Sequence, residues 1–463
     1  MALRHFGRST FQLGVFVGAF AIAGTLWTSP SQGQQLDEAL AIAYQTNPSL
    51  LAARSLLRIT NEEAPQARGG WRPNVSATLS AGGTYVNAES QDVTTTNRGS
   101  IPRTARLNIN QPLYTGGAVD AAVASAEANI QAERARLFQT EQGVMLQAIT
   151  AYVNVIRDQS TLELQVNNYK RLEKQLQAAR DRFRVGEVTK TDVAQSESRV
   201  ARAAADRTQA EGNLMTSRVE FERVVGIMPG TLVKPNLPSG LPKSREEAVD
   251  IALRENFALV RARFQEQSAV NRVAETEASL SPTAALVAQA QQSYDTSGSD
   301  NATTTLTAEI QVSIPIYQRG VVFSQIRAAK DSVQRNRLLV DEARRTTVDA
   351  TASAYEAFNT ALARIESLKK EVDSARIALD GVEQEATVGA RTVLDVLDAE
   401  QELLNAQVSL VSAERNATVA AYDYLQSLGR LTAQDLGLPV EIYDYDRHFL
   451  AVEKKYSGTE PPK

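Results

Sequence analysis

Residues 36–50 read LDEALAIAYQTNPSL, and residues 245–259 read REEAVDIALRENFAL. The second stretch repeats the pattern of the first 209 positions later, with acidic residues, alanines and the final leucine in matching places. Pro73 and Pro282 are separated by the same 209 positions. Self-similarity at a fixed spacing indicates a repeated structural unit, so we expect the chain to contain two copies of one structural unit.

The similarity continues to the end of both copies with a spacing of 203 positions. It holds at Pro112/Pro315, Tyr114/Tyr317, Gly117/Gly320, Tyr152/Tyr355, Gly186/Gly389, Asp192/Asp395, Glu197/Glu400 and Gly226/Gly429. The change of spacing makes the second copy six residues shorter between Pro282 and Pro315. Length variation confined to one stretch is typical of a loop.

Each copy contains two stretches in which apolar and polar residues alternate, which predicts a β-hairpin at about 73–113 and another at about 282–315. The polar span 87–100 predicts a long loop within the first hairpin. The strands have the roughly nine to eleven residues that cross a bilayer when tilted. Four strands cannot close a barrel, since the smallest known have about eight. Either they form an ordinary small sheet or several chains pool their strands.

The rest of each copy predicts long helices. No proline occurs in 113–228 or 316–438, and both spans are rich in Ala, Gln, Glu, Arg and Leu. We expect long coiled-coil hairpins at about 118–226 and 320–429. The first shows a seven-residue repeat at Ala148, Val155, Leu162 and Tyr169. A further helix is predicted over 48–68, with Asn47 as its N-cap, Pro48 at its first position and Pro65 as a possible early end.

The N-terminus predicts an export signal. Arg4 and Arg8 precede an uncharged run at 11–27, and small residues follow at Ser31 and Gly33. We assign 1–33 to a cleavable signal peptide, with a single transmembrane anchor as the alternative. Copy one then covers 34–244, copy two covers 245–438, and a tail covers 439–463.

Composition narrows the classes of function. The chain has no cysteine and a net charge of −5, so we expect no disulfide, no thiolate metal site, no cofactor and no nucleic-acid partner. Beyond the signal the only histidine is His448, which leaves little for an active site, and we expect no enzyme. No later apolar run reaches transmembrane length, so entry into a membrane would require β-strands.

Four motifs carry a resemblance to a known family. They are VGEVTKTDV at 185–193, VGARTVLDVLDAE at 388–400, PLYTGG at 112–117 and PIYQRG at 315–320. With the duplicated hairpin and helix order, the chain resembles the TolC family of outer-membrane efflux proteins over nearly all of its length after the signal. The resemblance implies a mostly α fold with a membrane β-barrel. A homotrimer would pool its strands into a twelve-stranded barrel, continued by an α-helical barrel.

The same resemblance implies a function. The chain would be the outer-membrane exit duct of a tripartite efflux or type I secretion system, a passive conduit gated at its periplasmic tip in a Gram-negative bacterium. Its partners would be two further copies, outer-membrane lipid, a periplasmic adaptor protein and an inner-membrane pump. The alternative is a periplasmic coiled-coil structural or adaptor protein that never enters the membrane.

The candidate pore residues are Asp395 and Asp398. Their spacing of three puts them on one face of a helix. In a trimer they would form two rings of carboxylates that constrict the pore and favour cations. Copy one has Asp192 at the first of these positions and Gln195 at the second. The alternative places both aspartates on a solvated outer face.

The resemblance also implies a latch and a docking site. Arg391 would pair with Asp192, beside Thr189, to hold the tip closed, although Ala386 stands where the family can carry a latch tyrosine. The alternative for Arg391 is a surface arginine with no fixed partner. Adaptor hairpins would dock at the two tip turns, which have Val185, Gly186, Val388 and Gly389.

Overall fold

A computed structural model describes residues 34–90, 93–296 and 301–462, so the expected signal peptide lies outside the described residues. The helices of copy one are α1 (Leu36–Thr46), α2 (Pro48–Asn61), α3 (Glu63–Arg68), α4 (Ala118–Arg184) and α5 (Lys190–Val225). Its strands are β1 (Asn74–Ala81), β2 (Thr84–Ser90), β3 (Val93–Ser100) and β4 (Arg103–Tyr114).

Copy two follows the same order, and its described residues contain no counterpart of β2 and β3. Its elements are α6 (Arg245–Glu255), α7 (Phe257–Glu277), β5 (Thr283–Tyr294), β6 (Ala302–Ser313), α8 (Val321–Thr387) and α9 (Val393–Leu428). A last helix, α10 (Tyr445–Val452), lies in the tail. Helices α4 and α8 have 67 residues each, about 100 Å at 1.5 Å per residue.

The four long strands form one antiparallel sheet in the order β1-β4-β5-β6. The two copies meet at the β4–β5 pair, where Leu107 lies opposite Ala290. Among the described residues, no further strand pairs with the outer edge of β1 or of β6. Apolar side chains on these edge strands are widely exposed, including Leu79 at 81%, Leu306 at 78% and Ile310 at 68%. The sheet therefore has two open edges and an apolar surface.

The expected loop at 87–100 is wrong in part. Strands β2 and β3 pair with each other as a separate two-stranded ribbon, with Tyr85 opposite Gly99. Residues 93–96 read VTTT, and β-branched Val and Thr favour extended backbone even where the composition is polar. Polarity suggested a loop, but the side-chain branching favoured a strand.

Local capping explains where the short helices start. The Asn47 side chain accepts a hydrogen bond from the Ser49 N–H at 3.0 Å, with Pro48 at the first helical position, as predicted. Asn256 does the same for α7 at 2.9 Å. Pro65 does not end the helix, since the break falls at Glu62 and α3 follows directly. Pro65 lies in the first turn of α3, where a missing N–H costs little.

The largest core surrounds the middle of α4. There α1, α2 and α5 pack on α4 through buried side chains such as Leu40, Leu50, Ile149 and Phe221. The Tyr152 hydroxyl lies 2.7 Å from the carbonyl oxygens of both Gln34 and Val233, which ties the start of the described chain to the linker between the copies. Of the predicted seven-residue repeat, Ala148 and Val155 are buried and Leu162 and Tyr169 are half-buried.

The two copies differ in how far their long helices are covered. Helix α4 buries 22 of its 67 side chains against α5, α7, α9 and the short helices. Helix α8 buries seven of 67 and exposes large apolar side chains, among them Phe323 at 54%, Leu338 at 59% and Ile377 at 75%. In the described part of the chain, no helix is both long and apolar enough to span a membrane.

The tail folds back on copy one. Arg134 on α4 forms an ion pair with Asp446 on α10, and Arg68 on α3 pairs with Glu453 at 2.6 Å. His448 lies buried beside Asn61, where desolvation lowers the pKa of the imidazole. This histidine packs the tail helix against α2.

A close backbone approach at the end of α9, within copy two, gives a test of this packing. Gly226 and Gly429 end α5 and α9 with φ of 95° and 88°. A Cβ at Gly429 would lie 2.5 Å from the carbonyl oxygen of Glu255, whereas at Gly226 the nearest atom is the Thr46 hydroxyl at 3.1 Å. Replacing either glycine by alanine introduces left-handed strain of about 1–2 kcal/mol.

We expect Gly429→Ala to lower the thermal unfolding temperature of the purified protein clearly more than Gly226→Ala. The reason is that the backbone at Glu255 must shift, while a threonine side chain can rotate away. Circular dichroism melting curves of the two variants measure the difference. Equal losses would contradict the close contact at Gly429.

Candidate functional site at the tips of the helical hairpins

Two tight turns connect the long helices at the same end of the molecule. Gly186 and Gly389 have positive φ, 81° and 78°. The backbone hydrogen bonds repeat as well: the N–H of Glu187 donates to Arg182 at 2.9 Å, and the N–H of Ala390 donates to Glu385 at 2.9 Å. The two tips are therefore built on the same backbone, and they differ in their side chains.

Valine side chains stand outward at both turns. Val185 is 71% exposed and Val388 is 79% exposed. A Cβ added at Gly186 or Gly389 would meet no atom of the described chain within 4 Å, so these turns are open on their outer side. Each tip thus presents an apolar side chain beside bare backbone.

Each returning helix begins with a capping box. The Asp192 carboxylate accepts hydrogen bonds from the N–H and hydroxyl of Thr189, both at 2.8 Å, and the Thr189 hydroxyl caps the helix in return. Asp395 and Thr392 repeat this arrangement at 2.9 and 2.8 Å. The spacing T-x-x-D is the local signal for such a box. Both aspartates therefore have a structural role as helix caps.

The environment of Asp395 favours its ionised form. The N–H and hydroxyl of Thr392, and then the charge of Arg391, hold the pKa of the Asp395 carboxyl below its ordinary value. Repulsion between neighbouring carboxylates would raise the pKa of Asp395, so the hydrogen bonds and the arginine within one chain act in the opposite direction. Asp395 therefore carries its negative charge at neutral pH.

Asp398 pairs across the two hairpins. Its carboxylate forms an ion pair with Arg199 on α5 at 2.5 Å, and the Asp398 side chain remains 56% exposed. Arg199 was not among the residues that the sequence singled out, because its role depends on which helices lie side by side. Asp395 and Asp398 do lie on one helix near the tip, but in the single chain each already has a partner.

Arg391 and Asp192 line one groove without pairing in this chain. The groove between the two tips has a volume of about 570 Å³ and is lined by residues of both hairpins, including Gln175, Arg182 and Glu383. The Arg391 guanidinium donates instead to Glu385, at 2.8 Å. Asp192 is held by Thr189. The Arg391–Asp192 pair is thus not formed within the chain, and Ala386 lines the same groove.

The tip combines exposed carboxylates, arginines and open turns at the ends of long helices.

Residues 39–226 and 248–430 match the family model described as "Outer membrane efflux protein", one segment for each copy. Together the two segments cover most of the chain.

Curated relatives cover nearly the whole chain. It is 33% identical over 446 residues to the outer membrane efflux protein BepC of Brucella suis, which is 96% of each protein. It is 27% identical to the outer membrane protein TolC of Escherichia coli, over 89% of this chain and 85% of that protein. Among solved structures, the outer membrane protein VceC of Vibrio cholerae is similar with a TM-score of 0.73 and 21% identity, over 85% of this chain and 96% of that one.

Proposed function

This chain belongs to the outer membrane efflux protein family, and we propose that three copies of it form the exit channel of an export system. It is a protein of the outer membrane, a channel subunit of a tripartite efflux or type I secretion system. The family is one of transport channels. The alternative of a periplasmic coiled-coil protein outside the membrane has no support among these relatives.

The open sheet edges support the assembly. Strands β1 and β6 each leave one row of backbone N–H and C=O groups without a strand partner among the described residues. In a bilayer such groups cost several kcal/mol each unless they are paired. Pairing β6 of one protomer with β1 of the next protomer removes both open edges. In a trimer, the twelve strands form one closed sheet, and its exposed apolar side chains face lipid.

The uncovered face of α8 supports the same assembly. Helices of a neighbouring protomer would cover its exposed Phe323, Leu338 and Ile377. Helices α2 and α5 of that protomer offer exposed apolar side chains for this contact, with Ile59 at 68% and Met215 at 58%. Helices of three copies would then enclose a tunnel that continues from the closed sheet into the periplasm. Because each chain contains two similar helical hairpins, three chains place six near-equivalent hairpins in one ring.

The tips support docking of a partner. Val185 and Gly186, and Val388 and Gly389, offer two open apolar turns per chain, related by the duplication. We propose that a periplasmic adaptor protein binds these turns and connects the channel to an inner-membrane pump. Six similar turns in a trimer suit a partner that presents repeated helical hairpins.

Asp395 and Asp398 are the proposed pore constriction. The observation that carries this assignment is the position of both carboxylates within six residues of the tip turn of α8 and α9, with Asp395 held ionised. In a trimer they make two stacked rings of negative charge, which attract cations and repel anions.

Replacing both aspartates by asparagine should reduce the cation selectivity of the channel in planar lipid bilayers. The charge of Asp395 is present above its pKa and lost below it, so the wild-type selectivity should persist at neutral pH and fall only under acid conditions. The reversal potential in a salt gradient measures selectivity. Asp206→Asn is the control, since it removes a half-exposed carboxylate of α5 that lies outside the tip and has no role in the proposed pore or latch. Unchanged selectivity in the double variant would exclude both residues from the pore.

Arg391 is the proposed latch, with Asp192 and Thr189 as partners on a neighbouring copy. Support comes from the groove between the two tips, which both Arg391 and Asp192 line. The Glu385 partner is exposed, so exchanging it for a carboxylate of the next chain costs little.

Arg391→Ala should raise the basal conductance of the channel, because the closed tips lose a charge-assisted contact. Single-channel recording without any partner protein measures this. Glu385→Gln removes only the partner within the chain and should leave the basal conductance low. If Arg391→Ala stays at the wild-type conductance, Arg391 is a surface residue without a latch role.

A further inference from the structure

Glu400 is a buried carboxylate near the tip to which the proposed gate gives no role. It lies on α9, five residues after Asp395, and it is 2% exposed. The other buried carboxylates among the described residues are Glu141, which accepts a hydrogen bond from the Ala433 N–H at 2.7 Å, and Asp158, which pairs with Arg157 at 2.7 Å. Glu400 has a single hydrogen bond and no ion pair among the described contacts.

That hydrogen bond joins the two hairpins. The Gln175 side-chain amide on α4 donates to the Glu400 Oε1 at 2.8 Å. The Glu400 Oε2, the Gln175 Oε1 and the Arg171 Nε are buried without a hydrogen-bond partner in the described part of the chain. A polar cluster with incomplete hydrogen bonding therefore lies inside the contact between α4 and α9. Separating the two helices would expose these atoms to water.

Apolar contacts flank the cluster on both sides. Leu397 packs with Leu172 of α4 and Ala203 of α5, and Leu403 packs with Val372 of α8. Helix α9 thus contacts its own hairpin partner and the other hairpin, with Glu400 between the two contacts. Any movement of one hairpin against the other must change the surroundings of this carboxylate.

The charged groups that act on Glu400 come from two other helices. Burial raises the pKa of the Glu400 carboxyl, and Glu383 on α8 adds to that rise, while Arg171 on α4 and the Gln175 hydrogen bond oppose it. In the packed arrangement the protonated form is therefore favoured relative to a carboxyl in water.

The equivalent residue of copy one has a different environment. Glu197, 203 positions earlier, is half exposed and forms an ion pair with Arg180 at 2.7 Å. Both hairpins thus carry a glutamate at the same place, but only in copy two does it lie in the contact between hairpins. This difference provides a natural control.

We propose that Glu400 is a positioning residue that makes the closure of the tip depend on pH: the protonated side chain favours packing of α9 against α4, and the charged side chain favours their separation. The proposal rests on the proposed function of the tip as a gate. Because Asp395 and Asp398 lie on the first turns of α9, the distance between α9 and α4 sets how far the carboxylate rings project into the pore. Acid conditions would hold the tip closed, and a rise in pH would loosen it.

The direction of the pH dependence follows from how tightly Glu400 binds its proton when α9 and α4 are packed and when they are separated. A group whose pKa is raised in the packed arrangement binds its proton more tightly there, so protonation stabilises packing. As pH rises through the pKa of the separated and then of the packed arrangement, this advantage is lost. A pKa difference of one between the two arrangements changes their population ratio about tenfold.

The test is the fraction of time for which single channels are open in planar bilayers between pH 5 and pH 8, compared among wild type, Glu400→Gln, Glu400→Asp and Glu197→Gln. In wild type we expect the open fraction to rise by about threefold or more with pH. Glu400→Gln keeps the hydrogen-bonding shape without the charge and should stay near the acid value throughout. Glu400→Asp should restore a pH-dependent profile, and Glu197→Gln should follow wild type.

Two outcomes would overturn the inference, and they differ in what else they affect. If the channel conducts with cation selectivity but Glu400→Gln keeps the wild-type pH profile, the role of Glu400 is wrong and the proposed function stands. If no variant conducts at any pH, the proposed function fails and this inference fails with it. Melting temperatures of the variants, measured beside the recordings, identify any loss of folding.

Discussion

The hydrogen-bonding capacity of two strand edges constrains this molecule more than any other feature. Strands β1 and β6 end the sheet on either side, and no further strand among the described residues pairs with their outer edges. Free edges invite pairing with another strand, and in a bilayer they must find it. In the assembly that we propose, other copies of the chain complete that sheet. The apolar side chains exposed on both edge strands are consistent with lipid on one side of the completed sheet.

Duplication followed by divergence explains how one chain supplies both a scaffold and the proposed gate. The two copies share the short capped helices, the strand pair, the long helical hairpin and the tip turn. They differ in what surrounds each element: Tyr152 is fully buried, whereas its counterpart Tyr355 is only half-buried. The same holds at the tip, where Glu197 reaches solvent and Glu400 does not. Copy one is largely covered within its own chain, and the face of copy two that remains open is available to neighbours.

Features set by local rules could be predicted from the sequence, and features set by neighbouring helices could not. The start of α2 at Asn47 and Pro48 follows from capping, and the T-x-x-D spacing at both tips follows from the same physics. The β2–β3 ribbon was missed because its threonines are polar in composition but extended in preference. The Asp398–Arg199 and Arg391–Glu385 pairs depend on which helices adjoin and on the turn geometry, which no spacing reveals. The burial of Glu400 has the same origin, since an equivalent residue in a similar sequence is exposed.

The most direct test of the account is amide hydrogen exchange of the four long strands in the protein reconstituted in lipid bilayers. If neighbouring copies pair their edges, β1 and β6 should be as strongly protected as the central strands β4 and β5, which are paired on both sides within the chain. Fast exchange at alternate amides of β1 and β6, with β4 and β5 protected, would mean that the edges stay open. That result would contradict an assembly in which copies of this chain complete one sheet.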